Sequence, residues 1–193
     1  MKEQVQINYK ERPVLLDKFI QDMQKALMSK LSWLDCAFGK ADTQIEYSDT
    51  GRKIAYPAAY TGRGEYMSLL PNDNIGNFSW FDFYDPQEVS FSIPSRPQIV
   101  LDGALIFWYD LSSIYEDDAF LHSEEIKEEV LRLLTTPGFL KGRNRINITK
   151  IYEKPENIYK GYSIEKLNTD KQFFSYPYAG LRVEFTLTVQ EVC

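Results

Sequence analysis

The residue types that most often carry out catalysis are scarce in this chain. There is one histidine, His122, and there are two cysteines, Cys36 and Cys193. A cysteine nucleophile needs a neighbouring base, and one imidazole without cysteine or acidic residues at ligand spacing does not make a zinc site. We therefore expect reduced cysteines, with Cys36 buried as a small hydrophobic residue, and an exposed His122 at a helix start. No catalytic residue, cofactor or metal ligand is assigned.

Serine turns and glycine loops give no better match to a catalytic motif. The chain has no G-x-S-x-G turn, the usual position of a nucleophilic serine. Residues 38–41 and 62–64 place glycine beside a basic residue. Neither segment has the length of a P-loop or the third glycine of a dinucleotide-binding loop, so both are predicted to be turns.

Acidic residues cluster at 116–118, 124–125 and 128–129. Paired carboxylates can bind calcium or catalyse acid–base reactions, but the glycine and asparagine spacing of a calcium loop is lacking here. We interpret these acids as the solvent-facing side and entry turn of a helix. An enzyme using Asp82 with Asp85, or Asp117 with Asp118, is an alternative that would need a pocket with a raised carboxyl pKa. Our prediction is that the protein is not an enzyme.

The densest run of aromatic residues is Phe78–Asp85. It lies within residues 71–97, which we predict to be an irregular loop or arm inserted into the fold. Two interpretations stay open. Either the segment folds back and buries its rings in a satellite core, or the rings form a contact surface for another chain or a sugar.

Two helices are predicted from the sequence. Apolar residues recur at three- and four-residue steps over 13–35, after Pro13, which predicts an amphipathic helix with a stop at Gly39. A second helix is predicted over 123–135, capped by Ser123 and ended by Pro137-Gly138.

Strands are predicted at 42–47, 53–60, 65–70, 98–110, 145–152, 159–167 and 181–192, with a hairpin around 155–157. Residues 98–110 are apolar on both faces, which is typical of a central strand. In the last strand Arg182 and Glu184 alternate with apolar residues and are expected to face solvent. Pro57 lacks a backbone donor, which places its strand at an edge or a bulge. The predicted fold is α+β, with a mostly antiparallel sheet and two main helices packed on one face.

The length and the net charge of the chain disfavour several classes of function. The 193 residues predict a single domain, 1–193, that includes the insertion at 71–97. With 22 Lys and Arg against 28 Asp and Glu the formal charge is −6, which disfavours a broad phosphate-binding surface and sequence-specific nucleic-acid recognition. No apolar run suits a secretory signal or a membrane span, so we expect a cytoplasmic protein.

As a whole, the order of elements resembles tail terminator (tail completion) and related head–tail joining proteins of tailed bacteriophages. The resemblance comprises the helix at 13–35, the proline-containing strand Tyr56–Tyr60, the strand at 98–110, the helix at 123–135, and the aromatic turn 173–180 leading into the last strand. The 71–97 stretch and the hairpin around 155–157 depart from the small members of that family.

The resemblance implies a non-enzymatic component of a phage or prophage that assembles as a ring, commonly a hexamer, at the end of the tail tube. Its partners would be other copies of itself, the tail tube and the head connector, first in the bacterial cytoplasm and then in the virion. An acidic channel lining would suit passage of DNA, because like charges repel. The alternative is a non-enzymatic binding module with an aromatic surface for a carbohydrate or a host protein.

A closed ring needs two different patches on each subunit. The aromatic run and the strand that bears Pro57 supply the candidates, because exposed rings and an incompletely paired sheet edge both accept a partner chain. The predicted interface residues are Tyr56, Pro57, Tyr60, Phe78, Trp80, Phe81, Phe83 and Tyr84.

Overall fold

A large β-sheet organises the chain in the computed structural model, which describes residues 7, 9–62, 64–72, 74–93, 96–116, 122–139, 144–163 and 175–190. Within these residues there are eight strands and four helices. In chain order they are α1 (Leu15–Lys30), β1 (Cys36–Tyr47), β2 (Lys53–Gly62), β3 (Glu65–Ser68), β4 (Phe78–Phe83), β5 (Glu88–Ile93), β6 (Arg96–Asp110), α2 (Leu111–Ile114), α3 (Ser123–Thr135), β7 (Arg145–Tyr152), α4 (Pro155–Ile158) and β8 (Tyr178–Gln190).

The strand order across the sheet is β3-β2-β1-β4-β6-β8-β7, and β5 pairs with β6 beyond the end of β4. Every pair is antiparallel except β1 with β4, which is parallel. The predicted α+β class with a mostly antiparallel sheet is therefore confirmed. No helix among the described residues is long and apolar enough to cross a membrane.

The strand β6 lies at the centre of this sheet, as its two apolar faces predicted. It pairs with β8 from Gln98 opposite Gln190 to Asp110 opposite Tyr178. Its odd-numbered residues, such as Leu105 and Phe107, belong to one buried cluster, which also contains buried residues of α1 and α3. Its even-numbered residues belong to a second cluster, with Trp80 and Tyr159. Both faces of the strand are thus covered.

The first helix is shorter than predicted. It ends at Lys30, and Leu31 already has an extended backbone. Leu31 and Leu34 are still buried, because the chain turns against the core before entering β1. The helical spacing of apolar residues in the sequence therefore continues past the end of the helix, and for this reason the predicted helix was too long.

Gly39 was predicted to stop the first helix, but this prediction is wrong because Gly39 lies inside β1. A Cβ there would lie 3.6 Å from Cγ2 of Ile20, an ordinary van der Waals distance, so α1 packs on β1 at this point and an alanine would also fit. Gln24 on the same helix donates from Nε2 to the carbonyl oxygen of Ala37 at 2.8 Å. Of the predicted turn at 62–64, Gly62 is the last residue of β2, residue 63 lies outside the described residues, and Gly64 adopts a φ of +84° before β3.

The interpretation of 71–97 as an irregular insertion is wrong for most of its length, since β4, β5 and the start of β6 lie within it. β4 is buried on both faces between β1 and β6, and it therefore lacks the alternation by which a half-exposed strand is recognised. Pro57 is also placed differently: β2 lies inside the sheet, and Pro57 stands where the pairing with β3 has just ended.

Two predictions near the helices need correction. His122, not Ser123, is the N-cap of α3, and it makes no side-chain capping bond. The predicted hairpin around 155–157 is the short helix α4, because Pro155 fits a first helical turn. Residues 159–163 form turns instead of a strand, and 164–167 lie outside the described residues.

The side chain of Asn77, 3% exposed, joins three segments of the chain. Its Nδ2 donates to the carbonyl oxygen of Trp33 at 2.9 Å and to Oγ of Ser113 at 3.1 Å. Its Oδ1 accepts from the backbone N–H of Asp110 at 2.8 Å. The loop before β1, the start of β4 and the end of β6 are therefore fixed to one another by a single amide.

Replacing this amide tests its role in the fold. Asn77→Ala leaves several buried polar groups without partners, and each such group costs about 1–3 kcal/mol. We expect urea unfolding to show a loss of about 3 kcal/mol in the free energy of unfolding. The exposed Asn74 is the matched control, since Asn74→Ala should change that free energy by less than about 0.5 kcal/mol. Equal effects of the two substitutions would contradict the assignment.

Candidate functional site

Most of the predicted interface residues in the aromatic run are core residues. Phe78, Trp80 and Phe81 are 0% exposed, because β4 lies in the middle of the sheet. The half-buried Phe83 stacks on Phe81, with ring centroids 5.8 Å apart, and lies over Gly103, where a Cβ would come within 2.7 Å of its ring. The rings of Phe78, Trp80 and Phe81 therefore fill the interior and are not presented to a partner chain or a sugar, while Phe83 is only partly covered.

The strand that bears Pro57 retains one exposed candidate. Pro57 is buried, and the half-buried Tyr56 donates from its hydroxyl to Glu46 at 2.6 Å. That hydrogen bond, with burial, raises the pKa of Tyr56 to about 12. Tyr60 is 57% exposed and meets the exposed Tyr66 of β3 edge-to-face at 5.4 Å. We call Tyr60 and Tyr66 the tyrosine patch.

The sequence interpretation missed a second exposed apolar patch, on β5. Val89 is 61% exposed and Phe91 is 67% exposed, and alternation places both on one face of the strand. We call these two residues the arm patch. The alternation of 88–91 was a usable signal, but the interpretation of 71–97 as one irregular segment passed over it.

A cluster of charged side chains lies where β1 separates from β4. Arg182 of β8 is 1% exposed, and its guanidinium lies 3.5 Å from Asp82 and 3.3 Å from Glu184. The guanidinium also donates to the carbonyl oxygen of Ile158 at 3.1 Å and to the hydroxyl of Tyr84. Tyr84 was predicted to be an interface residue, and the structure places its hydroxyl in this cluster instead. We call Asp82, Tyr84, Arg182 and Glu184 the charged cluster.

The register of the sheet explains how these groups meet. Asp82 on β4 and Glu184 on β8 both stand opposite Ala104 of the intervening β6. Because the alanine side chain is small, Arg182 can reach across β6 to Asp82. The expectation that Arg182 and Glu184 face solvent is therefore wrong. No sequence signal separates this pattern from a solvated face.

Opposing electrostatic effects act on the acidic side chains of the charged cluster, and neighbouring residues hold these side chains in place. Burial raises the pKa of Asp82, while the Arg182 guanidinium and the hydrogen bond from Tyr162 act in the opposite direction. The Tyr162 hydroxyl lies 3.4 Å from Asp82, and its own pKa is raised, first by burial and then by the Asp82 charge. Lys160 reaches Glu184 at 3.5 Å from the outer side. The arrangement joins β4, β8 and the segment after α4.

The remaining candidates for chemistry have structural surroundings. Burial, with the neighbouring Asp35, raises the pKa of the Cys36 thiol to about 12, so the reactive thiolate does not form at neutral pH. His122 is half-buried instead of exposed, and it stacks on Tyr115 at 4.1 Å with Nδ1 2.9 Å from Glu125. No cluster of three or more potential metal ligands occurs in the described ranges. Asp117 and Asp118 lie outside those ranges.

Comparisons with protein-family models and with curated proteins find no match to this chain. The functional conclusion therefore depends on the surfaces and clusters described above.

Removing the Arg182 guanidinium from the charged cluster should lower the free energy of unfolding. Arg182→Met leaves Asp82 and Glu184 buried without their shared partner, and breaking a buried ion pair in this way costs about 3–5 kcal/mol. Lys150→Met is the matched control, since Lys150 is exposed and stands opposite Glu184 on β7. It should cost less than about 1 kcal/mol. Urea unfolding measures both changes, and a near-neutral Arg182→Met would contradict the assignment.

The raised pKa of Asp82 predicts the sign of a pH effect. A carboxyl whose pKa is higher in the folded state stabilises the fold below its unfolded pKa, about 3.9, and loses that contribution as pH rises through the folded pKa. Asp82→Asn cannot ionise and lacks this loss. The free energy of unfolding of the variant minus that of the natural protein should therefore increase between pH 4 and pH 7. A decrease over this interval would show that the pKa is lowered instead.

Proposed function

We propose that this protein is a structural subunit of a phage or prophage virion, similar to a tail terminator, which assembles into a closed ring at the tail end. The observation that supports this most directly is that exposed apolar residues form more than one separate patch, two of them the tyrosine patch and the arm patch. The tyrosine patch lies on the β2–β3 hairpin and the arm patch lies on β5. Two different patches on one chain are what a head-to-tail contact requires.

The order of elements gives further support. An amphipathic helix, a strand containing Pro57, the long strand β6, the helix α3 and the closing strand β8 follow one another in the order on which the resemblance rests. In this proposal α1 and α3 lie together on one face of the sheet. The copies of the chain are one partner, and the tail tube and head connector are the others.

The net charge of −6 fits a ring through which DNA passes. Like charges on the subunit and the phosphate backbone repel, so the DNA would move without adhering to the wall. In this role the protein is not an enzyme; it acts in the bacterial cytoplasm and afterwards as a part of the virion.

The oligomeric state of the full chain tests the proposal. Light scattering after gel filtration, from dilute to concentrated protein, should show growth from monomer to one larger species of fixed mass. Negative-stain images of that species should show closed rings of one size. A monomer at every concentration would contradict the proposal, and a ligand-dependent change in tryptophan fluorescence of that monomer would favour the binding-module alternative.

A further inference from the structure

A polar cavity of about 280 Å³ lies where β6 ends and α2 begins. Asp110 of β6 and Tyr178 of β8 line it and stand opposite each other in the sheet. On the other side of β6, continuing the pairing of Phe78 with Trp108 by two residues brings Gly76 beside Asp110. Gly76 has a φ of +80° and no side chain, so the sheet leaves space next to the Asp110 carboxylate.

One oxygen of the Asp110 carboxylate is used by the fold and the other is not. Oδ1 accepts from the backbone N–H of Ser112 at 2.9 Å and from its hydroxyl at 2.6 Å, which caps α2. Among the residues that the structure describes, none donates a hydrogen bond to Oδ2 or forms an ion pair with this carboxylate. None of the described lining residues is basic. The cavity therefore presents a negative charge without a partner cation.

Two neutral oxygens in the same lining can accept further hydrogen bonds. Oδ1 of Asn72 accepts one, from the backbone N–H of Asn74 at 2.8 Å, and keeps a second lone pair. Oγ of Ser113 donates to the carbonyl oxygen of Asp110 at 2.8 Å and accepts from Nδ2 of Asn77 at 3.1 Å, which also leaves one lone pair. Together with Oδ2 of Asp110, these are three acceptors around one cavity.

This set of acceptors selects among cations. Calcium and magnesium take about six or more oxygen ligands with several carboxylates among them, whereas the described lining contains a single acid. A guanidinium binds a carboxylate best through both oxygens, and Oδ1 of Asp110 already accepts two hydrogen bonds. An ammonium group is a point charge with three N–H donors. It fits one carboxylate oxygen and two neutral acceptors.

An apolar wall completes the cavity. The rings of Trp108 and Tyr178 are nearly parallel, with an angle of 9° between their planes and centroids 6.1 Å apart. Trp108 is 2% exposed, and the half-buried Tyr178 covers it. The methylene groups that carry an ammonium group pack on apolar surface of this kind while the charge reaches a polar partner.

From these observations we infer that the cavity at the end of β6 binds a primary ammonium group on an alkyl chain, carried by a small amine or by a lysine side chain of another protein. Oδ2 of Asp110 accepts the charge-assisted hydrogen bond, and Asn72 and Ser113 accept the other two. The alkyl chain lies against Tyr178. This inference goes beyond the proposed ring and does not depend on it.

A ligand with and without the charge tests the site on the natural protein. Saturation-transfer NMR at pH 7 with the full chain should show saturable binding of n-butylammonium with a dissociation constant of about 1 mM, within the limit for so small a ligand. Butan-1-ol has the same size and no charge, and it should bind at least about tenfold more weakly. Equal binding of the two would overturn the inference.

A substitution that keeps the helix cap tests the residue. Asp110→Asn removes the charge but retains an oxygen for capping, because asparagine caps helices as well as aspartate does. It should weaken n-butylammonium binding at least about tenfold and leave the urea unfolding midpoint unchanged. Glu116→Gln is the matched control, since Glu116 is an exposed acid that does not line the cavity. Undiminished binding to Asp110→Asn, or an equal loss in both variants, would overturn the inference.

A third comparison distinguishes the two sources of the ammonium group. If Nα-acetyl-lysine methylamide binds as tightly as n-butylammonium or more tightly, the site takes a lysine side chain. If n-butylammonium binds and the blocked lysine does not, the site takes a small amine. In both cases the corresponding arginine compound should bind more weakly. Binding of neither amine, or tighter binding of the arginine compound, would overturn the inference.

Discussion

Water must be excluded from both faces of β6, because that strand has large apolar side chains on each of them. Buried residues of α1 and α3 share a cluster with its odd-numbered side, and Trp80 and Tyr159 share one with its even-numbered side. The same requirement places β4 and β8 beside β6 as further interior strands. Charged residues on β4 and β8 then have to satisfy one another, since an unpaired buried charge is costly. Asp82, Arg182 and Glu184 meet for this reason.

Periodicity in the sequence predicted the elements that are amphipathic or wholly apolar. The limits of α3 and β7 were predicted correctly, and the prediction that both faces of β6 are buried is confirmed. β4 was missed because Ser79 and Asp82 interrupt its apolar residues, although both faces of the strand are covered. The burial of Arg182 depends on partners from distant segments, 100 residues away in the case of Asp82. A pattern within one strand cannot indicate that.

The predicted interface residues show the same limit, because a local sequence pattern does not reveal where a strand lies in the sheet. Aromatic residues were correctly picked out as the main apolar groups of 78–84, but their exposure depends on the position of β4 in the sheet. Exposed rings lie on other strands instead, among them Tyr47 of β1, Tyr60 of β2, Tyr66 of β3 and Phe91 of β5. Because β3 and β5 lie at margins of the sheet, their side chains stay uncovered within one copy. In the proposed ring, contact between copies would bury Tyr66 and Phe91.

Closure of the proposed ring is the property to test first, because a head-to-tail contact alone would also permit filaments. Sedimentation velocity of the full chain over a wide range of concentrations distinguishes the two. A closed ring should give a monomer and a single larger species whose sedimentation coefficient stays constant as its share increases. A monomer at all concentrations, or a continuous growth of ever larger species, would contradict it.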